Sequence, residues 1–318
     1  MHYAQVQAFG QPPQYLEGPD LPAPTGNQIR LKVLAAAVHR LVQMRAKGAH
    51  FSATSAPLDP SSDGVAVDEA TGQVYYVGTF AAPLFAEYAN VDKARLVPLP
   101  AGADPVTVAA LANPVQSSWM SLAARVNRDV LPEAFSVLIL GVTGTSGRAA
   151  VDVARQFGAG TVVGAGRREA PLQALVADKA LDAYLVLDDA TLAAATRALG
   201  HVDVVLDYVW GAQAATVLNN LQPGAAVTQY VNIGTTAQEE TLALSAQTLR
   251  AKNLTLSGAA PGSYTLAAAG KELPAIVAMA ASLPKPADVV PYPLSEVARV
   301  WDTDEARKKR LVLLPGTS

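Results

Sequence analysis

The sequence predicts an α/β protein of two domains. One is irregular and strand-rich; the other is a parallel sheet wound by helices on both faces. Three observations carry that reading. The chain has 318 residues, against about 150 for one ordinary domain. Its first ~115 residues hold short β-type runs punctuated by Pro and Gly, the pattern of an irregular strand-rich domain. From Phe135 onward, short apolar runs alternate with segments of helical period, the pattern of βα units in a doubly wound sheet.

In the first region the β-type runs are Ile29–Ala35, Gly64–Val67 and Val74–Val77. In the second, Ser136–Leu140 is an apolar strand and Gly147–Phe157 a helix. Ala150, Val153, Ala154 and Phe157 fall at i, i+3, i+4 and i+7, giving that helix one buried face, and Gly158 and Gly160 stop it. Thr161–Ala165, Ala183–Leu187, Val202–Leu206, Ala225–Ile233 and Leu254–Ser257 read as further strands. Residues 169–179, 190–199, 211–220 and 242–251 read as the helices between them. A helix over 267–282 and a strand Arg310–Leu314 close the chain, and this tail is expected to pack back on the N-terminal domain. The expected division is therefore 1–115 with 260–318, and 116–259.

Composition excludes several function classes. Hydrophobic residues are 50% and charged residues 16% of the chain, with a formal net charge of −3. That supplies a large core and no basic footprint for nucleic acid. There is no cysteine, which removes disulfides, thiolate catalysis and every Cys-based zinc site. No apolar run approaches the ~18 residues of a membrane span, and no basic-then-apolar leader opens the chain. The expectation is a soluble, cytoplasmic protein without membrane or nucleic-acid partners. Tyr-x-x-x-Lys, His-Glu-x-x-His, Gly-x-Ser-x-Gly and Walker A patterns are all missing from the sequence.

The strongest local signal is Leu138-Ile139-Leu140-Gly141-Val142-Thr143-Gly144-Thr145-Ser146-Gly147. A strand runs into a glycine turn and a helix opens out of it. Such a turn presents backbone N–H groups and a helix dipole to an anion. Gly144 is expected to let the backbone approach the pyrophosphate of a dinucleotide, with Thr143, Thr145 and Ser146 as further cofactor contacts and Gly147 as the close helix–sheet contact. The alternative is a tight turn that holds no ligand. Val142 stands where the usual fingerprint has its first glycine. At the end of the second strand, Gly164-Ala165-Gly166-Arg167-Arg168 offers no acid for ribose hydroxyls. Small residues followed by guanidinium groups suit a 2′-phosphate instead, so NADP(H) is expected over NAD(H). The alternative for Arg167 and Arg168 is a solvated helix start, although arginine there opposes the helix dipole.

These motifs, with Asn27–Val38, Pro60-Ser61-Ser62-Asp63-Gly64, Phe85-Ala86-Glu87-Tyr88, Leu96–Pro100, Ser117–Leu122, Val231-Asn232-Ile233-Gly234 and Leu311–Pro315, give the chain a close likeness over nearly its whole length. It resembles the medium-chain dehydrogenase/reductase superfamily, in its zinc-independent quinone oxidoreductase and enone reductase branch. The resemblance implies a GroES-like β-rich catalytic domain from both chain ends and a Rossmann domain between them. It implies a cofactor in a cleft, with the nicotinamide near Asn113, Ser117 and Asn232, Ile233 and Gly234. The adenosine phosphate falls near Gly164, Gly166, Arg167 and Arg168. Tyr208, at a strand's carboxyl end, is a further cofactor contact or else a core aromatic. His39 and His50 correspond to family positions near the nicotinamide and the substrate; each could bind a carbonyl or supply a proton, or simply be polar wall.

Departures from the family are also legible. Val38-His39-Arg40 and Ser62-Asp63-Gly64 stand where zinc-dependent members carry their ligands, so no metal is expected. The segment from Gly64 to Tyr75 is short, and Leu172 lies near where many relatives carry a phosphate-contacting Lys. The implied activity is metal-free hydride transfer from NADPH to a quinone or α,β-unsaturated carbonyl, with a homodimer common in the family. The alternatives are an NADPH-binding sensor or structural protein of little turnover, and a trans-acting enoyl reductase.

Overall fold

The computed structural model describes residues 1–316. The chain forms two compact units. One holds Met1–Asn113 and the chain from Leu273 onward; the other holds Pro114–Glu272.

The first unit is β-rich. β1 (His2–Gln5) pairs antiparallel with β2 (Gln14–Glu17). β3 (Gln28–Val38) runs directly into helix α1 (Arg40–Ala46), and is followed by β4 (Gly64–Val67), β5 (Val74–Val77), β6 (Tyr88–Asp92) and β7 (Leu96–Pro98). β3 is the spine of this unit: it pairs antiparallel with both β4 and β6. Leu31 and Val33 point into the core while Arg30 and Lys32 do not, the period-2 signature of a half-buried strand. Past a register shift between Val33 and Ala35, Ala35 to Val38 are all buried.

The second unit is a doubly wound parallel sheet. Helix α2 (Pro105–Ala124) crosses the division between the units. It leads to β8 (Ser136–Leu140), α3 (Thr145–Gln156), β9 (Thr161–Gly166), α4 (Glu169–Ala177), β10 (Ala183–Val186) and α5 (Leu192–Leu199). β11 (Val204–Asp207), α6 (Gly211–Asn220), β12 (Thr228–Asn232), α7 (Ala246–Ala251), β13 (Leu254–Gly258) and α8 (Leu266–Ser282) follow. The sheet order is β10-β9-β8-β11-β12-β13, all parallel. The central strands are buried on both faces, which is why Val137–Leu140 and Val204–Leu206 read as unbroken apolar runs. Register places Leu140 beside Ala165 on one side and Asp207 on the other, with Asp207 beside Asn232. Those four residues form one row at the carboxyl edge of the sheet.

The tail returns to the first unit. β14 (Val289–Pro293) pairs parallel with β15 (Arg310–Leu314), and β15 pairs antiparallel with β3. The mixed sheet and the six-stranded parallel sheet are consistent with a GroES-like domain and a Rossmann domain. Among the described residues, no helix is long and apolar enough to cross a membrane.

Several element ends differ from the sequence expectation. The helix expected from Gly147 begins at Thr145, with Gly144 as its extended N-cap. The strand expected over Ala225–Ile233 starts only at Thr228, where the Thr228 hydroxyl donates to the Val202 carbonyl. The helix expected over 242–251 starts at Ala246, where Ser245 caps it: its hydroxyl oxygen accepts the Thr248 N–H at 3.0 Å.

Candidate functional site

In the Rossmann unit the site is built around the turn after β8. Gly141 has φ +88°, a conformation L side chains rarely adopt. The N–H groups of Gly141 and Val142 both donate to the Ala165 carbonyl, which ties the turn to β9. Gly147 is forced by packing: a Cβ there would overlap the Gly141 carbonyl oxygen and lie 2.6 Å from the Val142 Cα. Gly144 is different, since a Cβ on it would meet nothing closer than 3.6 Å. Its absence leaves the face of the turn open rather than relieving a clash.

The start of α3 has no side-chain cap and no acid in its first turn. Its leading N–H groups therefore have no partner within the helix, and the dipole is unopposed by a carboxylate. Thr143, Thr145 and Ser146 are half-buried around it, and Gly144 is exposed. The Arg148 guanidinium donates to the Thr143 carbonyl at 3.1–3.2 Å, holding the outer lip of the turn.

The valine in the fingerprint has a structural partner. Val142 is fully buried, and a Cβ on Gly164 would stand 2.7 Å from a Val142 methyl and 2.5 Å from Leu181. The room that Val142 fills is the room Gly164 leaves. Gly164 thus acts beneath the turn, while Gly166 backs it from the strand end, where a Cβ would come 3.1 Å from Thr143 Cγ2. Beyond Gly166, Arg167 and Arg168 are both exposed. The nearest acid in sequence, Glu169, accepts the Tyr184 hydroxyl at 2.8 Å. A helix N-terminus without its own anion, an open glycine and two exposed guanidiniums with no acid at the strand end fit a dinucleotide bearing a 2′-phosphate.

Further along the same sheet edge, Tyr208 is buried and its hydroxyl lies 3.1 Å from Ser117 Oγ. Ser117 donates its one proton to the Pro114 carbonyl at 2.7 Å, so Tyr208 is the donor of the pair. Burial pushes the Tyr208 hydroxyl up to about 12, and it stays a neutral donor. Asn232 turns inward: its amide donates to the Gly234 carbonyl at 3.0 Å. The N–H groups of Ile233 and Gly234 both reach the Asp207 carbonyl, at 2.7 and 3.2 Å. Asp207 has no signal in the sequence; a lone acid at a strand end carries no motif.

In the β-rich unit, Asn113 is half-buried on α2. His39 is only 4% exposed. Its Nε2 lies 3.0 Å from Asp63 Oδ1, and Asp63 Oδ2 accepts the Tyr76 hydroxyl at 2.9 Å. Burial alone would raise the Asp63 carboxyl, but the His39, Ser62 and Tyr76 contacts outweigh it and hold it below the usual carboxylate range. This is a closed, fully packed network, with His39 fixed by it.

His50 is placed otherwise. It sits half-buried in a loop, tilted against Phe51 with centroids 4.3 Å apart, and Phe51 is 73% exposed. His50 Nδ1 accepts the Ser52 N–H at 3.3 Å and lies 2.8 Å from the Ser52 hydroxyl. In the neutral ring the proton is then on Nε2, pointing away from that contact. Burial, and next the charge of Arg45, push the His50 imidazole below its ordinary value. Arg45 itself is buried over the Phe80 ring, 4.9 Å from its centroid, and donates to the Ser61 carbonyl. Among the described residues, no group of three or more His, Asp or Glu is arranged to hold a metal ion.

A search of protein-family models finds no match for the chain. Among curated proteins, the chain is 36% identical to the Emericella nidulans protein named "Probable NADPH-dependent quinone reductase tdiC". That alignment runs over 363 positions and covers 99% of this chain and 100% of the relative. Among solved structures, the quinone oxidoreductase from Thermus thermophilus, also determined in complex with NADPH, matches with a TM-score of 0.74 and 25% identity. The match covers 99% of this chain and 100% of that one. A mycobacterial quinone oxidoreductase shares the fold with a TM-score of 0.78 at 20% identity, over 99% of this chain and 100% of its own.

Proposed function

The chain belongs to the quinone oxidoreductase branch of the medium-chain dehydrogenase/reductases, and on that premise we propose that it is an NADPH-dependent, metal-free reductase of quinones or α,β-unsaturated carbonyls. The observation that carries the proposal is the open glycine turn at Gly141–Gly147 followed by Arg167 and Arg168 where an NAD-binding strand would end in an acid.

Each residue then has a role. The α3 N-terminus and the exposed Gly144 hold the diphosphate, with Thr143, Thr145 and Ser146 as hydroxyl partners. Arg167, supported by Arg168, pairs with the 2′-phosphate. Gly164 and Gly166 keep the turn seated. Asn232, Ile233 and Gly234, with Ser117, Tyr208 and Asn113, hold the nicotinamide end. When bound, NADPH supplies the hydride, and one proton from solvent completes quinone to hydroquinone. In the absence of a metal, charge developing on the substrate oxygen needs a protein donor. His50 is that donor through Nε2–H, while His39, held by Asp63, is part of the packed interior of the same unit. Two further parts of the reading are a homodimer, supported by Leu256 exposed on the edge strand β13 and Leu249 exposed on α7 before it and tested by sedimentation, and a cytoplasmic location, tested by fractionation.

The substrate class is tested by steady-state turnover with 1,4-benzoquinone and with a simple enone. Turnover of the quinone alone narrows the reading to quinones; turnover of neither removes the activity. The His50 role has a pH signature. An imidazolium is a stronger donor than a neutral imidazole, so kcat/KM should rise as pH falls, with its inflection below the ordinary imidazole value of about 6.5. His50→Phe should remove the inflection and lower kcat/KM at neutral pH about tenfold, the loss of one hydrogen bond to a charged oxygen. An inflection that survives in the variant assigns it to another group.

A further inference from the structure

We propose that Asp207 is the positioning residue of the nicotinamide loop: one buried carboxylate and its own carbonyl clamp two backbone segments, 208–210 and 232–234, into a fixed relation. The inference rests on the reading above that Asn232, Ile233 and Gly234 meet the nicotinamide.

Asp207 is 0% exposed, so all its acceptor capacity must be met from within the protein. Oδ1 takes the Val209 N–H at 2.7 Å and the Trp210 N–H at 3.0 Å. Oδ2 takes the Tyr230 hydroxyl at 2.8 Å and the Asn232 amide at 3.4 Å. The main-chain carbonyl takes Ile233 and Gly234. Every contact is a donor onto oxygen, which is the environment of an ionised carboxylate, although burial raises its pKa against these donors.

The clamp also holds a strained backbone. Trp210 has φ +63°, rare for a bulky side chain, and its N–H is shared between the two Asp207 oxygens. Strain of this kind persists where surrounding contacts over-determine it, and it clusters at ligand sites. From the far side the 234–240 segment is tied to the same turn. Thr236 and Ala237 donate to the Tyr208 and Val209 carbonyls, and the Glu239 carboxylate accepts the Ala212 N–H at 2.9 Å. The turn is held from both sides, with Asp207 as the buried member. The 208–210 segment does flank the glycine turn, since Tyr208 and Val209 stand where a Cβ on Gly141 would meet them. The donors Asp207 gathers come from Val209, Trp210, Tyr230, Asn232, Ile233 and Gly234, none of them in the turn itself. Loss of Asp207 should therefore fall mainly on the nicotinamide end of the cofactor.

The test is isothermal titration of NADPH and of 2′,5′-ADP, which carries the adenosine phosphate end without the nicotinamide. Asp207→Asn should weaken NADPH about tenfold or more and leave 2′,5′-ADP within about twofold. It should lower kcat as well as raise KM, because a displaced ring loses reactive alignment. Tyr230→Phe keeps both backbone clamps and should show the same selective loss in smaller measure, about threefold. If Asp207→Asn does not fold, Tyr230→Phe decides alone. Equal weakening of both ligands, or of neither, overturns the proposal. Wild-type protein that binds neither overturns the cofactor reading, and the clamp with it.

Discussion

Gly147→Ala should lose detectable NADPH binding and lower Tm, while Gly144→Ala, three residues earlier, should keep the wild-type Tm and lose affinity alone. The two glycines differ in what a methyl group would strike. At Gly147 it would overlap the Gly141 carbonyl oxygen and crowd the Val142 Cα. Both are backbone atoms of a turn pinned to Ala165 by two hydrogen bonds, so neither moves cheaply. Overpacking of that kind costs about 1–3 kcal/mol or more, and relief comes from pushing α3 off the sheet. At Gly144 the nearest atom is an ordinary 3.6 Å away, so the fold accepts the methyl group. The methyl then occupies the face by which a diphosphate approaches the helix N-terminus. Thermal melts beside NADPH titrations check the pair. Gly144→Ala with wild-type affinity would show that the turn is structural and holds no phosphate.

Arg167→Ala should raise the Kd for NADPH on the order of 100-fold and change that for NADH by less than about twofold. A guanidinium–phosphate pair with two charge-assisted hydrogen bonds contributes roughly 3 kcal/mol, and about 1.4 kcal/mol is tenfold. Arg167 is exposed, so salt screens the pair and the ratio should shrink as ionic strength rises. Arg168 carries the same charge from the N-cap of α4, where it opposes the dipole and makes no side-chain cap. Arg168→Ala should therefore cost less NADPH affinity than Arg167→Ala. Equal losses for both dinucleotides in Arg167→Ala would remove the 2′-phosphate assignment.

The parallel sheet was legible because its chemistry is local. Burial on both faces makes each central strand an apolar run, and a turn that must adopt φ > 0 after β8 needs glycine there. What stayed hidden depends on residues distant in sequence. Val142 in place of a fingerprint glycine reads as a defect until Gly164, on the next strand, is seen leaving it room. Asp207 gathers donors from Val209 and Trp210 but also from Tyr230 and Asn232, and the register of two parallel strands is not written in either one. His39 and Asp63 are 24 residues apart. As sequence each is an isolated polar residue, and only the packing of β3, β4 and β5 closes them with Tyr76 into one network. Element ends differ where a cap decides: Ser245 starts its helix because its hydroxyl can accept an N–H, a finer signal than hydrophobic period.

The central claim is that this chain passes a hydride from NADPH to a quinone. Stopped-flow mixing of the NADPH-loaded protein with 1,4-benzoquinone tests it most directly. The expected result is rapid loss of NADPH absorbance with one hydroquinone formed per NADPH, and a slower reaction with NADH at equal subsaturating concentration. Tight NADPH binding with no loss of absorbance, for the quinone and for an enone alike, would contradict it and leave a binding protein in place of an enzyme.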